Sequence, residues 1–580
     1  MNNTVNKNIE EWSNHPFCEE TRNKLNHLKK DKVKLNDAFY KNLEFGTGGM
    51  RGLMGVGTNR INKYTIGKNT QGISNFINSN YHVNKSVVIA YDCRNNSSEL
   101  AKVVAEVFSA NKIKVYLFSA MRPTPELSYA VRKLNCLCGI VLTASHNPPE
   151  YNGFKVYWKD GGQIVPPIDN LLISEIEKLK FKEVNFNFRP ELIKIIDKEI
   201  DEPFINNCLE NVINEDVKSR NDIKIVFTAL HGTSSIIIPK LLKKAGYKNV
   251  NYVKSQMIAD GNFSTVKSPN PEEIESLDLA LKLGNKEKAD IVIGTDPDAD
   301  RLGIAIRDLK NNLKLINGNQ LMVLMFNYIL NKKNSEKALN KNHFIASTIV
   351  STPMIKNIAK YYNVDCKLSL TGFKWIAKMI EDFPDQKFLI GGEESFGLMI
   401  GDAVRDKDAL SASLAACEMI SYYKQKNSSV FKELIKLYCL HGFYKEKLVS
   451  IVKGGEKGQN EIKKIINGFR KKPLDYILDS KVKYFCDYSI SLKKNLISGD
   501  SENIILPKSN VIEFESDDGC KIILRPSGTE PKIKMYVSVN KALNNVNEFE
   551  KVDKILNDKI DRIIKSIGLW IQTTLIEFLD

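Results

Sequence analysis

The sequence lacks the patterns that would place the chain in a membrane or in an oxidising compartment. No run of about eighteen apolar residues occurs in its 580 residues, so no transmembrane helix is expected. The opening MNNTVNKNIEEW has no apolar segment typical of a secretory signal. The 10 cysteines are scattered without a C-x-x-C pair, which favours reduced thiols over disulfides. We therefore expect a cytoplasmic protein that does not bind membranes.

Two widespread catalytic motifs are also missing. No G-x-x-x-x-G-K-[ST] phosphate loop occurs anywhere in the chain. The segment around Ser145 is not a hydrolase nucleophile elbow, because Thr143 and Asn147 stand where G-x-S-x-G requires glycine. A hydrolase triad in which His146 activates Ser145 is not expected either, since adjacent side chains rarely point at each other. Neither a nucleotide-binding P-loop nor a serine hydrolase is predicted.

Composition and charge indicate an ordinary globular protein of several domains. Apolar residues make up 42% and charged residues 26% of a chain that is too long for one hydrophobic core. The formal net charge is +15, but the lysines are spread along the chain without adjacent clusters of base-stacking aromatics. We therefore expect no nucleic-acid partner. A basic surface of this kind attracts phosphorylated small molecules.

Strand and helix patterns alternate in three successive rounds before the character of the chain changes. The first residues, up to about 41, form a charged helical arm, and strand–helix–strand patterns follow. This predicts an α/β fold class, with three similar mixed α/β domains and a C-terminal α+β domain. The predicted boundaries are 1–215, 216–320, 321–441 and 442–580.

The stretch TASHNPPEYNGFKVYW, residues 143–158, is the first candidate functional segment. It follows an apolar run, 137–142, that predicts a buried strand, and the Asn-Pro-Pro sequence ends that strand. Ser145 would then lie on a loop at the carboxyl end of a strand, where α/β proteins bind ligands. Ser145 could be a nucleophile, with Lys155 as a fixed cation. Alternatively, Ser145 and Asn147 are turn residues that bond the local backbone.

Three aspartates spaced by two residues form the second candidate. On an extended segment, Asp296, Asp298 and Asp300 would direct their carboxylates to one side. Three adjacent like charges repel unless a cation joins them, and oxygen ligands suit Mg²⁺, Mn²⁺ or Ca²⁺. An EF-hand is excluded because Arg301 and Arg307 occupy its required glycine and glutamate positions. An Asp-rich surface turn without metal is the alternative.

Three further segments have the composition of anion or sugar sites. Arg51 lies in a glycine-rich stretch, 43–52, whose backbone amides could approach an anion. Residues 391–397 place two carboxylates and a serine between glycines, which suits sugar hydroxyls. Residues 525–529 offer a guanidinium, two hydroxyls and a glycine, as in a phosphate cradle, although a plain hairpin is possible. Together the segments predict phosphoryl transfer through a phosphoserine to a hydroxyl-bearing substrate.

Four of these segments, in this order, resemble the α-D-phosphohexomutase family: TASHNPPEYNGFKVYW, GTDPDADR, GGEESFG and RPSGTEPK. Two others, LEFGTGGMRGLMGVGTNRIN and TGFKW, are more similar to its phosphoglucomutase-2/phosphopentomutase branch. The resemblance covers nearly the whole chain. It implies four domains around a central cleft, which matches three α/β rounds and one α+β segment.

The resemblance also implies a role for each matched residue. Ser145 would be phosphorylated in the resting enzyme and would contribute an oxygen to a Mg²⁺ ion held by Asp296, Asp298 and Asp300. The catalytic residues around the phosphoserine would be Arg51, His146 and Lys155. The substrate-binding residues would be Arg301, Thr371, Gly372, Lys374, Glu393, Ser395, Lys407, Arg525, Ser527, Gly528 and Thr529.

The implied activity is a mutase that interconverts a sugar 1-phosphate and its 6- or 5-phosphate through a bisphosphate intermediate. The cofactors would be Mg²⁺ and a sugar bisphosphate that primes the serine. A glucose 1,6-bisphosphate synthase and a non-catalytic phosphoprotein of the same fold are the alternatives. The sequence leaves open the sugar, the choice between Lys155 and His146 for proton transfer, and the choice between monomer and homodimer.

Overall fold

The computed structural model describes residues 3–46, 48–453, 455–527 and 532–577. The chain forms two compact units, the first being Met1–Met325 with Phe373–Val430 and the second Phe326–Gly372 with Phe431–Asp580. Within the described residues, no helix has the length and apolar character needed to cross a bilayer.

Helices and strands alternate along most of the chain. The helices are α1 Asn3–Trp12, α2 Glu19–Leu28, α3 Lys32–Phe39, α4 Lys63–Asn80, α5 Ser97–Ala110, α6 Thr124–Lys133, α7 Ile168–Lys178, α8 Lys198–Val212, α9 Ser234–Lys244, α10 Asp278–Lys286, α11 Gly318–Ser335, α12 Met354–Tyr362, α13 Phe373–Asp382, α14 Ala409–Gln425, α15 Val430–His441, α16 Gly455–Lys471 and α17 Phe549–Glu577. The strands are β1 Gly49–Leu53, β2 Ser86–Tyr91, β3 Lys114–Phe118, β4 Cys138–Leu142, β5 Tyr151–Trp158, β6 Ile193–Ile196, β7 Ile225–Thr228, β8 Val250–Tyr252, β9 Ile291–Thr295, β10 Leu302–Arg307, β11 Leu313–Leu315, β12 His343–Thr348, β13 Asp365–Ser369, β14 Lys387–Glu393, β15 Gly397–Ile400, β16 Phe443–Val452, β17 Tyr476–Ile477, β18 Ser480–Asp487, β19 Leu492–Asn495, β20 Ser501–Asn503, β21 Ile512–Ser516, β22 Lys521–Pro526 and β23 Lys532–Lys541.

The first sheet of the first unit has the strand order β1-β5-β4-β2-β3-β6. Strands β4, β2, β3 and β6 are parallel, and β4 is buried along its whole length, as the apolar run predicted. Strands β5 and β1 are antiparallel additions at one edge, so the sheet is mixed. This order carries Lys155 back beside β4 and sets Arg51 opposite Gly153.

The second sheet of the first unit has the order β11-β10-β9-β7-β8. Strand β9 is wholly buried and runs straight into Asp296, and β10 returns antiparallel beside it. The same unit contains the antiparallel hairpin of β14 and β15, which is joined by residues 394–396. The loops that carry Ser145, the three aspartates and Ser395 therefore each begin where a buried strand ends.

The N-terminal residues are three helices with a core of their own, and not a solvated arm. Trp12 is fully buried and its ring stacks on Phe17 with centroids 4.3 Å apart. Phe39, Tyr64 and Phe181 pack edge-on against the same indole. The large apolar area of this aromatic cluster anchors α1–α3 to α4.

The second unit contains the parallel pair β12–β13 and a larger antiparallel sheet. That sheet has the order β16-β23-β22-β21-β18-β19-β20, with β17 paired to β18. Helix α17 packs against β23 and β16, and Trp570 stacks on Phe469 of α16 with centroids 3.6 Å apart. The C-terminal part is thus α+β, as predicted.

Candidate active site

Ser145 lies at the buried end of the loop that follows β4. The residue is 3% exposed and adopts a left-handed backbone with φ of +52°, which is unusual outside glycine. Its Oγ donates a hydrogen bond of 2.6 Å to Asp296 Oδ2 and lies 3.1 Å from Nδ1 of His146. The sequence argument against contact between these neighbours was wrong. The left-handed turn brings the two adjacent side chains together.

The three aspartates converge because the segment turns, and not because it is extended. Residues 297–299 form a turn in which Ala299 has a φ of +55°. Asp296 Oδ1 accepts hydrogen bonds from the backbone amides of Asp300 at 3.0 Å and Arg301 at 2.9 Å. The predicted convergence is present, but its geometric reason differs from alternation along a strand.

The aspartate cluster has the features of a metal site. One carboxylate oxygen from each of Asp296, Asp298 and Asp300 lies within 4.8 Å of the others, and all three residues are buried. Oδ1 of Asp298 and Oδ1 of Asp300 are buried without a hydrogen-bond partner among the described residues. Buried carboxylate oxygens without donors are costly unless a cation approaches them. The residues present therefore fit a hard divalent ion.

Two lysines compensate part of the negative charge. Lys155 Nζ donates to Asp298 Oδ2 at 2.7 Å and to Asp300 Oδ2 at 3.3 Å. Lys407 Nζ lies 3.2 Å from Asp300 Oδ2 and donates to Asp406 Oδ1 at 2.9 Å. Burial favours neutral amines, but the facing carboxylates outweigh it and raise the pKa of both lysines. Both side chains are thus ammonium groups at neutral pH.

The aspartates respond to these surroundings in opposite directions. Burial and the charges of its two neighbours raise the pKa of Asp296 well above its usual range. Burial also disfavours the charged forms of Asp298 and Asp300, but the nearby lysines outweigh it and lower both pKa values. Burial, then Arg301 and Arg51, lower the pKa of His146 to about 2, so its imidazole is neutral.

Two arginines flank the Ser145 loop and the aspartate turn. Arg51 reaches from β1 and donates to Asn147 Oδ1 at 2.8 Å. Arg301 forms a close ion pair with Glu272, and its Nε lies 3.9 Å from Asp300 Oδ1. Burial opposes the charge on Arg301, but these carboxylates raise its pKa. The two predicted arginines therefore lie beside the Ser145 loop and the aspartate turn.

The loop between β14 and β15 lies beside the aspartate turn. Leu302 donates its backbone N–H to the carbonyl of Phe396 at 2.9 Å, and Phe396 has a φ of +63°. The side chain of Lys407 packs so closely over Gly397 that a Cβ there would meet its Cδ at 2.3 Å. Glu393 is buried, and its charge helps to raise the pKa of both Arg301 and Lys407.

Four further predicted residues are Ser395, which belongs to the same loop, and Lys374, Thr371 and Gly372. Ser395 is half-buried in the first unit, where Lys374 is the second residue of α13 and extends over the Trp375 ring at 5.2 Å. Burial lowers the pKa of Lys374 to about 8. Thr371 and Gly372, which has a φ of +113°, belong to the second unit.

The predicted phosphate cradle is at the tip of a hairpin in the second unit. Arg525 is half-buried and pairs with Lys534 between β22 and β23. Ser527 donates its backbone N–H to the carbonyl of Lys532 at 2.7 Å. Gly528 and Thr529 lie outside the described residues. The position of this cradle relative to Ser145 stays a prediction.

Sequence reasoning missed the residue that organises the Ser145 loop. The Arg94 side chain is fully buried, and it donates to the carbonyls of Ser145 at 2.6 Å, Pro148 at 2.8 Å and Tyr151 at 3.0 Å. It also donates to the carbonyl of Asn147. Polar residues just after the predicted strand 87–90 were the available signal, since that strand end lies beside β4.

Thr124 was also missed, although it touches the aspartate cluster directly. Its Oγ1 donates to Asp298 Oδ2 at 2.9 Å, and its backbone N–H donates to the carbonyl of the same residue. Thr124 opens α6, so the hydroxyl and amide both belong to a helix start. A threonine directly after the Arg-Pro dipeptide 122–123 carried no chemical signal in the sequence.

The arrangement can support phosphoryl transfer. A buried serine hydroxyl contacts a carboxylate of the three-aspartate cluster. Two ammonium groups contact the other carboxylates of the cluster, and the Arg51 and Arg301 guanidinium groups lie beside Asn147 of the Ser145 loop and beside Asp300. Such transfer depends mainly on positioning and on stabilising the negative charge of the phosphoryl oxygens. His146 Nδ1 lies 3.1 Å from the hydroxyl, which is within the distance needed for proton transfer.

Comparison with known proteins gives a consistent result. Three family models match, described as phosphoglucomutase/phosphomannomutase alpha/beta/alpha domain I at residues 42–183, domain II at 202–310 and domain III at 317–438. The phosphoglucomutase of Staphylococcus aureus strain MRSA252 is 39% identical over 516 residues, covering 87% of this chain and 91% of that protein.

Two solved structures share the fold. The phosphoglucomutase/phosphomannomutase family protein from Burkholderia thailandensis has a TM-score of 0.65 at 17% identity, covering 90% of this chain and 97% of that one. The open form of the exocytosis-sensitive phosphoprotein pp63/parafusin (phosphoglucomutase) from Paramecium has a TM-score of 0.66 at 17% identity, covering 90% and 95%. At these identities the likeness supports the fold alone.

Proposed function

The chain belongs to the phosphoglucomutase/phosphomannomutase family of sugar-phosphate mutases, and we propose that it interconverts glucose 1-phosphate and glucose 6-phosphate and also accepts ribose or deoxyribose 1-phosphate. The glucose substrate is supported by the name of the curated relatives at 39% identity. The pentose substrates are supported by the branch resemblance of the segments 43–62 and 371–375. Four domains, at 1–215, 216–320, 321–441 and 442–580, belong to the same proposal.

One observation carries the mechanism: Ser145 Oγ donates a hydrogen bond to a carboxylate of the buried aspartate cluster. We propose that Ser145 carries the phosphoryl group and that Asp296, Asp298 and Asp300 hold Mg²⁺ beside it. The bound ion supplies positive charge next to the transferring phosphoryl oxygens. Lys155 and Lys407 stabilise the negative charge of the cluster, since both form ion pairs with its carboxylate oxygens.

The proposed step transfers one phosphoryl group and one proton. The free hydroxyl of the sugar monophosphate attacks phosphorus, the bond from phosphorus to Ser145 Oγ breaks, and a sugar bisphosphate forms. The proton of the attacking hydroxyl passes to the leaving Oγ, with His146 Nδ1 as the carrier. His146 is placed for this role because its Nδ1 contacts Oγ, whereas the Lys155 ammonium is bonded to Asp298 and Asp300. The reverse step on the other phosphate completes the mutase reaction.

The remaining residues bind the substrate in this proposal. Arg51 and Arg301 face the charge of the phosphoserine, while Glu393 and Ser395 bind sugar hydroxyls and Lys407 lies nearby. Arg525, Ser527, Gly528 and Thr529 bind the phosphate that is not transferred. Thr371, Gly372 and Lys374 complete the substrate-binding set. A sugar bisphosphate primes Ser145.

The first experiment follows the phosphoryl group. Wild-type protein incubated with Mg²⁺ and glucose 1,6-bisphosphate labelled at phosphorus should carry label on Ser145, as located by peptide mass spectrometry. Ser145→Ala should lose the label, and its kcat should fall at least about 1,000-fold. The control is Ser498→Ala, which changes an exposed serine of the second unit. This variant should keep the label on Ser145 and the wild-type kcat. Label at another residue, or normal turnover by Ser145→Ala, would contradict the proposal.

The second experiment decides the sugar. kcat/KM is measured for glucose 1-phosphate and for ribose 1-phosphate, each primed with its own bisphosphate. Conversion of both sugars supports the proposal as stated, while conversion of glucose 1-phosphate alone removes the pentose part. Release of glucose 1,6-bisphosphate as the main product would contradict the mutase and favour a bisphosphate synthase.

A further inference from the structure

A buried carboxylate next to Lys407 has no part in the reaction as proposed above. Asp406 is 1% exposed and lies between β15 and α14. Its Oδ1 accepts hydrogen bonds from the backbone N–H of Lys407 at 2.7 Å and from the Lys407 ammonium at 2.9 Å. The same ammonium lies 3.2 Å from Asp300 Oδ2. Lys407 is therefore shared between Asp406 and a carboxylate of the aspartate cluster.

The other oxygen of Asp406 faces the first sheet. Tyr157 of β5 is fully buried and donates its phenolic O–H to Asp406 Oδ2 at 2.6 Å. Gln163 donates its side-chain amide to the same oxygen at 3.1 Å and to the Tyr157 phenolic oxygen at 3.1 Å. Burial, and then the Asp406 charge, raise the pKa of Tyr157 well above its usual range. The phenol therefore keeps its proton and remains a hydrogen-bond donor.

Backbone contacts fix the chain on either side of Asp406. Gly162 pairs with Arg405 in a parallel β-bridge. Ala409 donates its backbone N–H at 3.2 Å to the carbonyl of Ala299, which lies inside the aspartate turn. Because the backbone is held at both ends, the side-chain hydrogen bonds determine the orientation of the carboxylate.

We propose that Asp406 is a positioning residue for Lys407, and that Tyr157 and Gln163 orient Asp406 for this purpose. A lysine ammonium is carried on a flexible stem, and fixing it costs conformational entropy. Two carboxylates, one on each side, hold this ammonium beside Asp300. The role rests on the proposed mutase function, in which Asp300 belongs to the metal site and Lys407 lies near the sugar.

Strand β5 then acts on the aspartate cluster in two ways. Lys155 and Tyr157 are two residues apart, so their side chains project from the same face of the strand. Lys155 contacts the cluster directly, whereas Tyr157 reaches it through Asp406 and Lys407. Removal of the phenolic oxygen alone should therefore affect the cluster.

The test measures kcat/KM for glucose 1-phosphate with Mg²⁺ in variants of these partners. Tyr157→Phe removes one hydroxyl and leaves every charge in place, while Asp406→Asn removes the carboxylate charge. We expect kcat/KM to fall about 10-fold in Tyr157→Phe and about 100-fold in Asp406→Asn, because a displacement of about 1 Å in an active site has effects of this size. If Asp406→Asn does not fold, Gln163→Met replaces it, since it removes a donor and keeps the carboxylate.

A double-mutant cycle with Lys407→Met separates positioning from a general structural role. If Tyr157 and Asp406 act through Lys407, their substitutions should not lower kcat/KM further once Lys407 is replaced. Residues that only stabilise the fold would instead give additive losses. An additive cycle for Asp406 would overturn the proposal, and an additive cycle for Tyr157 would overturn its part in it.

The second unit offers a matched control. Tyr488 donates its phenolic O–H to the buried Glu513 at 2.7 Å, and Lys521 pairs with Glu513 at 2.6 Å, which repeats the arrangement at Asp406. Tyr488→Phe should lower the thermal midpoint as Tyr157→Phe does, but it should leave kcat/KM unchanged. An equal fall of kcat/KM in both variants would contradict a specific role for the first-unit contacts.

Crystal structures of the variants measure the position of Lys407 without turnover. In Tyr157→Phe and Asp406→Asn, the ammonium should move from its place beside Asp300 by about 1 Å or more. Tyr488→Phe should retain the wild-type position. An unmoved ammonium would overturn the proposal even where turnover falls. Because no substrate is needed, a wild type that converts no sugar phosphate would contradict the proposed function alone, and the positioning of Lys407 would still be decided.

Discussion

The Arg94 side chain binds the backbone carbonyls of the Ser145 loop. It therefore positions Ser145 without a hydrogen bond to the serine hydroxyl. The fully buried guanidinium donates to the carbonyls of Ser145, Asn147, Pro148 and Tyr151. Arg94→Lys keeps the charge but cannot reproduce this fork of donors. We expect kcat to fall about 10- to 100-fold, because small displacements of a reacting group have effects of this size.

The measurement for Arg94 is steady-state turnover of glucose 1-phosphate with Mg²⁺, beside a thermal melt. The matched control is Arg60→Lys, since Arg60 also bonds backbone carbonyls but lies by Asp37, away from Ser145. The free energy of unfolding should drop by about 1–3 kcal/mol in Arg94→Lys. A kcat no lower than that of Arg60→Lys would show that the loop holds its shape without Arg94.

Cys18 should be the reactive thiol of this chain. It precedes α2, Lys63 Nζ donates to its Sγ at 3.2 Å, and Thr21 Oγ1 lies at 3.3 Å. Burial raises the pKa, but the bonds from Thr21, Tyr64 and Lys63 outweigh it and lower the pKa to about 6. Below that pH the thiol is protonated, and above it the nucleophilic thiolate dominates.

Alkylation of Cys18 by iodoacetamide should therefore reach half its maximal rate near pH 6, as followed by peptide mass spectrometry. Cys439 provides an internal control in each sample, because it is also half-buried but burial raises its pKa. Lys63→Met should move the Cys18 midpoint upward. A Cys18 midpoint equal to that of Cys439 would exclude an effect of these contacts.

Residue chemistry in the sequence identified Ser145 and the aspartates, because their types and spacing are specific to phosphoryl transfer. The contact of His146 with Ser145 was not predictable, since it depends on a left-handed φ that no residue type near it requires. Arg94 and Thr124 were missed for another reason. Their partners are more than fifty and more than a hundred and fifty positions away in the chain, and sequence spacing carries no information at that separation.

At the scale of elements, the approach of β1 and β5 to the Ser145 loop depends on Gly153. A Cβ there would meet the carbonyl oxygens of Thr143 at 2.4 Å and Met50 at 2.9 Å, and neither backbone group can move independently of its sheet. Gly153→Ala should lower the free energy of unfolding of the first unit by at least about 1–3 kcal/mol. It should also displace Ser145 and reduce turnover.

The contrasting substitution is Gly568→Ala in α17, where a Cβ would meet no atom within 4 Å. Alanine should stabilise that helix by about 0.5–1 kcal/mol. Both variants are compared by urea unfolding monitored by circular dichroism. Equal effects of the two substitutions, or unchanged stability in Gly153→Ala, would refute the steric argument.

The sequence predicted the fully buried strand β4 better than the two antiparallel strands β1 and β5. The apolar run before Thr143 matches β4, since a strand covered on both faces is apolar throughout. Strands β1 and β5 were not predicted, because they contain glycine, arginine and lysine where the active site replaces ordinary core residues. The aromatic cluster of α1–α3 was missed because its partners Tyr64 and Phe181 lie outside those helices.

At the scale of the whole molecule, each unit should respond to a different solution variable. Glu446 of β16 lies opposite Ser538 of β23, and burial raises its pKa from 4.5 to about 7, partly opposed by the Thr352 and Ser538 hydroxyls. Because this pKa is raised in the folded state, the contribution of the protonated Glu446 carboxyl to the free energy of unfolding is complete below about pH 4.5. It is lost as the pH rises through about 7.

Glu446→Gln removes this loss, so relative to wild type its second unit should gain stability between about pH 5 and pH 9. The gain is at most about 3 kcal/mol. Glu502→Gln, at an exposed position of β20, should show no such trend. Hydrogen exchange of the β16–β23 sheet measures the effect in place. A pH dependence shared equally by both variants would assign it to another group.

Mg²⁺ should stabilise the first unit and leave the second unchanged, because the proposed ligands Asp296, Asp298 and Asp300 all lie in the first unit. At a concentration about 100 times the dissociation constant, binding adds about 2.7 kcal/mol to the free energy of unfolding. Hydrogen exchange should slow at residues 143–155 and 295–301, with no change in β16–β23. Asp300→Asn should remove most of the effect, while Asp308→Asn, after the end of β10, should retain it. Slowing that is equal in both units, or that persists in Asp300→Asn, would place the metal elsewhere.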